Sequence, residues 1–151
     1  MSAILSTQNL VKKYGYKIVS NNISLTINKG DIYGFVGKNG AGKTTFMRQV
    51  LGLAFPDSGE ITLFGGEPLN TARKKIGSLI EFPSIYKNCT AYENMKRMAI
   101  LTGSSDKSVR KILDFVGLGN TGNKKAGQFS LGMRQRLGIA MALLGNPELL
   151  I

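Results

Sequence analysis

Eight residues, Gly37-Lys-Asn-Gly-Ala-Gly-Lys-Thr44, fit the spacing G-x-x-x-x-G-K-[ST] and restrict what this chain can fold into more than any other feature. From the chain's own frequencies of Gly, Lys, Ser and Thr, such a match arises by chance in about three chains of this length in a hundred. The spacing carries chemistry only where a strand enters the loop and a helix leaves it, because successive backbone N–H groups must then converge on one point. Asp31 to Val36, after the turn Asn28-Lys29-Gly30, reads as that strand, and Lys43 to Leu51, closed by Gly52, reads as that helix. Glycines at 37, 40 and 42 let the N–H groups turn inward as an anion nest, and the helix start adds about half a positive charge there. The loop is thus shaped for a polyphosphate, with Lys43 reaching β- and γ-phosphate oxygens and Thr44 offering a hydroxyl to Mg²⁺.

The rest of the chain changes period once. Ile4 to Leu10 is strand-like, and Ile23, Leu25 and Ile27 alternate with Ser24, Thr26 and Asn28 as in a half-wet antiparallel sheet. Glu60 to Leu63 and Ile76 to Ile80 read as further strands. From Thr90 the period becomes helical. Thr90-Ala-Tyr-Glu93 is a capping box opening a helix to about Leu101, and Ser105 caps a second helix carrying Val109, Ile112, Leu113 and Val116, stopped by Gly117. Ser130 to Leu144 is a third, striped by Met133, Leu137, Ala140 and Leu144, and Glu148 to Ile151 begins another strand. The pattern predicts an α/β fold with an N-terminal antiparallel β-subdomain and phosphate-loop core (1–85), a helical insert (86–136) and a return to the core (137–151).

Composition narrows the partners. Against 9 acidic residues the chain has 20 basic ones and no histidine, a net charge of +11. The excess is densest in residues 86–136, where Tyr86, Tyr92 and Phe115 are too few to form a base-stacking platform. That stretch reads as a solvated or headgroup-facing surface rather than a nucleic-acid face. The single cysteine, Cys89, rules out an internal disulfide and a thiolate-based structural zinc site and fits a reducing compartment. No apolar run approaches the roughly 18 residues that would cross a bilayer, so attachment to a membrane is expected only through partners.

Tyr14, the loop 37–45, Phe129-Ser-Leu-Gly-Met-Arg-Gln-Arg136 and Asn146-Pro-Glu-Leu-Leu-Ile151 together resemble the nucleotide-binding domain of ATP-binding cassette (ABC) transporters across essentially the whole chain. The resemblance implies ATP and Mg²⁺ as ligands and an ATP-hydrolysing family. It implies nucleotide contacts from Gly37, Lys38, Asn39, Gly40, Ala41, Gly42, Lys43, Thr44 and Thr45, with adenine stacked on Tyr14; Tyr16 is the competing aromatic. The family signature Leu-Ser-Gly-Gly-Gln reads here Phe129-Ser130-Leu131-Gly132-Met133, so the serine and glycine contacts carry over while a side-chain amide contact does not. Through Ser130, Leu131, Gly132 and Met133 at a helix N-terminus, ATP would be sandwiched against a second such subunit.

Where most of the family has a glutamine after the strand 76–80, this chain has Glu81, a harder ligand for Mg²⁺. The runs Ile76-Gly-Ser-Leu-Ile-Glu-Phe-Pro83 and Asn88-Cys-Thr-Ala-Tyr-Glu-Asn94 resemble the ATPases of bacitracin-resistance and lantibiotic-immunity exporters. The resemblance implies an ATP-binding subunit on the cytoplasmic face of the membrane, peripheral, working with membrane-spanning chains on separate polypeptides and not with nucleic acid. The family's Mg²⁺ aspartate, its water-polarising glutamate and its γ-phosphate-sensing histidine all follow a strand like Leu149-Leu150-Ile151. No catalytic residue is therefore expected within these residues, and the expectation is a binding half cut off before the acidic residues. Two other readings stay open: a soluble non-transport ABC ATPase acting on nucleic acid or ribosomes, and a non-catalytic ATP-binding fragment.

Overall fold

The apolar alternation of the first 28 residues closes into a hairpin in the computed structural model, which describes residues 2–151. Strand β1 (Ala3–Tyr14) pairs antiparallel with β2 (Lys17–Asn28). Gly15, at φ +58°, supplies the left-handed residue a two-residue hairpin loop needs. On its other edge β1 pairs antiparallel with β3 (Ser58–Leu63), giving the order β2-β1-β3. Leu5, Leu10, Ile61 and Leu63 face inward from this sheet and are buried, as are Phe46 and Val50 of the helix α1 (Lys43–Val50). Ser20 of β2 donates to the buried Gln49 of α1 at 3.3 Å. The end of α1 is capped by Arg73, whose guanidinium donates to the carbonyls of Val50 (3.0 Å) and Gln49 (3.4 Å). Asp57 ties the entry of β3 to β1 by accepting from the Lys13 amide at 2.6 Å, which with Lys12 holds its carboxyl below the usual range.

The strand expected at Asp31 to Val36 is not formed. No strand among the described residues pairs with it, and a strand without a ladder has no defined backbone partners. Phe35 anchors the segment by stacking on Phe46 of α1, ring centroids 4.9 Å apart, while Ile32 and Val36 stand in solvent. A short helix, α2 (Leu69–Ala72), and a 3₁₀ turn at Arg73–Lys75 close this part of the chain; neither is signalled by the periodicity of the sequence.

The chain folds as two compact units, one ending at Lys74 and one spanning Lys75–Ile151. In the second, β4 (Ile76–Gly77) pairs in parallel with β5 (Leu149–Leu150), and the pairing is extended by Glu148 N–H to Lys75 O and Leu79 N–H to Ile151 O. The strand expected at 76–80 is thus regular only at its start, and Glu81, beyond its expected end, sits at φ +61°. Gly77 is dictated by packing: a Cβ there would lie 1.9 Å from the Ala142 carbonyl oxygen. Helices α3 (Ala91–Thr102), α4 (Asp106–Phe115) and α5 (Leu131–Leu143) enclose a core of Met95, Val109, Leu113, Leu118, Phe129 and Leu137. The capping box of α3 forms as expected, Glu93 N–H donating to Thr90 and the Thr90 amide to the Glu93 carboxylate. Ser105 and Ser130 cap α4 and α5. At the α3–α4 junction the Asp106 carboxylate accepts from the Tyr92 hydroxyl, Arg110 Nε (2.9 Å) and Lys96 Nζ (3.2 Å), which lower its pKa to about 2.

Candidate functional site

The glycine-rich loop opens directly into α1, as its spacing predicts, although the segment 31–36 that enters it forms no strand. Gly40 and Gly42 sit at φ +80° and +87°, the left-handed conformations that turn successive amides the same way, and Gly42 is the N-cap of α1. A Cβ on Gly42 would lie 2.1 Å from the Val19 carbonyl oxygen of β2, so the strand backbone presses directly on the loop. At Gly40 the same atom would meet nothing within 4 Å, leaving the mouth of the loop open. Lys43 Nζ reaches back to donate to the carbonyls of Gly37 (2.5 Å) and Lys38 (2.9 Å), and Ala41 N–H donates to Lys38 O at 3.1 Å. The loop is therefore a ring closed on the lysine.

Electrostatics agree with the geometry. The first turn of α1 carries Lys43, Thr44 and Thr45, whose N–H groups precede the first i→i−4 donor, Phe46 N–H, and it contains no acidic residue. Left-handed glycines opening an acid-free helix start, with the Lys43 ammonium on the same loop, fit a polyphosphate anion, and the Thr44 hydroxyl on the same turn fits a hard cation carried with it. Among the described residues no group of three or more His, Cys, Asp or Glu is gathered to hold a metal.

Tyr14 ends β1 opposite Lys17, half-exposed, with Lys12 Nζ 5.4 Å from its ring centroid. Val19, which touches Gly42, follows Lys17 by two residues, so Tyr14 lies roughly 7 Å along the strand from the loop contact. Tyr16, at the hairpin tip, is fully exposed.

The remaining expected residues belong to the second unit. Ser130 Oγ accepts from the Met133 amide at 3.2 Å, fixing the first turn of α5, while Phe129 is buried and Met133 packs half-buried against the helical core. Leu131 and Gly132 are exposed on the same turn, and a Cβ on Gly132 would touch nothing within 4 Å. Met133 thus fills an apolar position, and Ser130 and Gly132 present the polar edge. Arg134 tethers this turn by donating to the Gly127 carbonyl at 2.9 Å. Glu81 is exposed, and its carbonyl accepts from Gln135 Nε2 of α5 at 3.4 Å.

One structural residue, Asn94, escaped the sequence reading. Buried to 1% exposure, it accepts from the Tyr86 amide (2.8 Å) and donates to the carbonyls of Tyr86 (3.1 Å) and Thr90 (2.8 Å), pinning the segment between Glu81 and α3. A polar residue at a core-facing position of α3 was the available signal.

The family description "ABC transporter" matches residues 20–151. The chain is 49% identical to the bacitracin transport ATP-binding protein BcrA of Enterococcus faecalis, over all of this chain and 50% of that protein. It is 46% identical to the lantibiotic transport ATP-binding protein SrtF of Streptococcus pyogenes, over 98% of this chain and 65% of that one. The chain therefore spans about half to two-thirds of the length of these relatives. Among solved structures, an ATP binding subunit of an ABC transporter superposes with TM-score 0.84 at 26% identity, covering 97% of this chain and 64% of the other. An ATP-binding cassette in its ADP conformation superposes with TM-score 0.81 at 26% identity, covering 99% and 68%. These likenesses bear out the α/β phosphate-loop fold expected from the sequence.

Proposed function

We propose, on the premise that this chain belongs to the ABC transporter family, that its residues form the ATP-binding part of a transporter subunit coupling ATP binding and hydrolysis to export of a peptide antibiotic. The observation that carries the nucleotide reading is the ring closed by Lys43, with Gly40 and Gly42 in left-handed conformations at the start of an acid-free helix turn. The amides of the loop 37–45 would hold the phosphates, Lys43 would exchange its two loop carbonyls for phosphate oxygens, and Thr44 would offer its hydroxyl to Mg²⁺. Tyr14 offers a π face for adenine. When bound, the nucleotide would supply the phosphoanhydride bond and Mg²⁺ the charge that offsets its phosphates; these residues would bind and orient.

Ser130 and Gly132 lie at an exposed helix N-terminus suited to the phosphate of a nucleotide held by a second subunit, and Glu81 serves as a Mg²⁺ or water contact. The antibiotic substrate rests on relatives named for bacitracin and lantibiotic transport. Among the described residues no helix is long and apolar enough to cross a membrane. The relatives' names as ATP-binding proteins of transport are what lead the reading to place membrane-spanning subunits on other chains and this one at the cytoplasmic face.

Isothermal calorimetry with Mg·ATP tests the nucleotide reading. Lys43→Ala removes the mobile cation and should weaken binding tenfold or more, about 1.4 kcal/mol. Unchanged affinity would remove the assignment of the loop.

A further inference from the structure

The basic excess of the second unit is unevenly distributed. Of its five carboxylates, Asp106 is engaged by Tyr92, Lys96 and Arg110, Glu93 pairs with Lys125, and Glu148 pairs with Lys75. Asp114, one turn on from Lys111, abuts Gly119, and Glu81 has its backbone carbonyl held by α5. None of the five borders a cleft of about 370 Å³ formed between α4 and the end of α5. Ser104, Ser108 and Lys111 supply its polar side, and Ile112, Phe115 and Leu143 its apolar side. Lys107, Lys111 and Phe115 recur at intervals of four on α4 and so share one face. Both lysines are exposed and make no ion pair among the described residues, and Phe115 is 79% exposed. The last turn of α3 borders the same place: a Cβ on Gly145 would lie 3.2 Å from Thr102 Cβ, and Thr102 shares a 2.7 Å hydrogen bond with Ser104. Just before Thr102 stand Ile100 and Leu101, 80% and 81% exposed.

We infer that this face of α4 binds an anionic phospholipid surface. Two unneutralised ammonium groups and two hydroxyls suit phosphate headgroups, while exposed Phe115 beside the half-buried Ile112 and Leu143 suits the acyl boundary just beneath them. That is the division of labour of an interfacial helix. A soluble polyanion would use the lysines and leave the phenylalanine without a role. The lipid-facing residues all belong to the second unit and act independently of nucleotide binding, so Lys43→Ala should leave lipid binding intact.

Co-sedimentation of the 151-residue chain with vesicles tests it. Binding is expected to vesicles of phosphatidylcholine mixed with phosphatidylglycerol and not to phosphatidylcholine alone. Lys107→Glu with Lys111→Glu should lower the affinity at least about fivefold for each lysine. Lys87→Glu with Lys124→Glu, the same charge change at exposed positions outside the cleft, should lower it much less. Phe115→Ser should weaken binding in a way that added salt does not reproduce. All these side chains are exposed, so far-UV circular dichroism should show the helices retained in each variant. Absence of binding to the anionic vesicles, equal losses in the two charge-reversed pairs, or an unaffected Phe115→Ser would each overturn the inference, the last two leaving only a generic polyanion surface.

Discussion

Gly42 answers two separate demands, and they can be measured apart. Its φ of +87° excludes a side chain on conformational grounds, and the Val19 carbonyl 2.1 Å from its would-be Cβ excludes one on steric grounds. Gly40 shares the first demand, at φ +80°, and not the second. Gly40→Ala should therefore destabilise by the left-handed penalty alone, about 1 to 2 kcal/mol. Gly42→Ala adds the displacement of β2 from the loop and should exceed it by at least another 1 kcal/mol or so, in the range of overpacking a filled site. Thermal melts of the two variants check this. Equal shifts would mean that the Val19 contact yields freely and that the loop is not braced by the strand.

At the scale of elements, caps, turns and the N-terminal antiparallel hairpin were legible, and the pairing of the segment 31–36 was not. Thr90, Ser105 and Ser130 announce their helices because a cap is a local hydrogen bond between residues three apart, and all three form. Asp31 to Val36 has the residues of a strand, but a strand is completed by a neighbour that local sequence does not name, and none of the described residues supplies it. Asn94 shows the same limit inside a helix, since its partners Tyr86 and Thr90 are set by a loop path. Replacing it with leucine keeps the branched shape and leaves the Tyr86 amide without its buried acceptor, while the Tyr86 and Thr90 carbonyls keep the backbone amides of residues 89 and 94. The loss should be about 1 to 3 kcal/mol, read as a lower denaturant midpoint with unchanged slope; a neutral substitution would mean that water reaches these groups. The junction of α3 and α4 should also respond to acid. Tyr92, Arg110 and Lys96 lower the Asp106 pKa to about 2 in the folded chain from an unfolded value near 3.8. A depressed carboxylate stabilises above its unfolded pKa, and that contribution fades as pH falls from about 4 toward 2. Asp106→Asn should flatten the acid limb of the stability curve in that window and leave the curve near neutrality lower; an acid limb identical to the parent's would show that the contacts do not hold in solution.

For the whole molecule, the segment before the phosphate loop decides how the 151-residue polypeptide behaves in solution. Phe35 secures one side of it on Phe46, yet Ile32 and Val36 are almost fully in water and Tyr33 half so, and its backbone has no ladder among the described residues. Extended backbone with free hydrogen-bonding groups and a row of apolar side chains is a template for another chain. The polypeptide should therefore associate as its concentration rises, by light scattering, while its two units retain their own cores. Ile32→Lys with Val36→Lys puts charge on that edge, where natural sheets commonly place lysine to repel a pairing strand, and should suppress the association. Because both side chains already stand in solvent, the same substitutions should change stability by no more than about 0.5 kcal/mol each. The two measurements must be read together. Association suppressed with the melting temperature retained locates the adhesive surface at this segment. A melting temperature lowered by many degrees would instead show that Ile32 and Val36 are covered in solution, and that a partner for the missing strand exists within the polypeptide or a second copy of it.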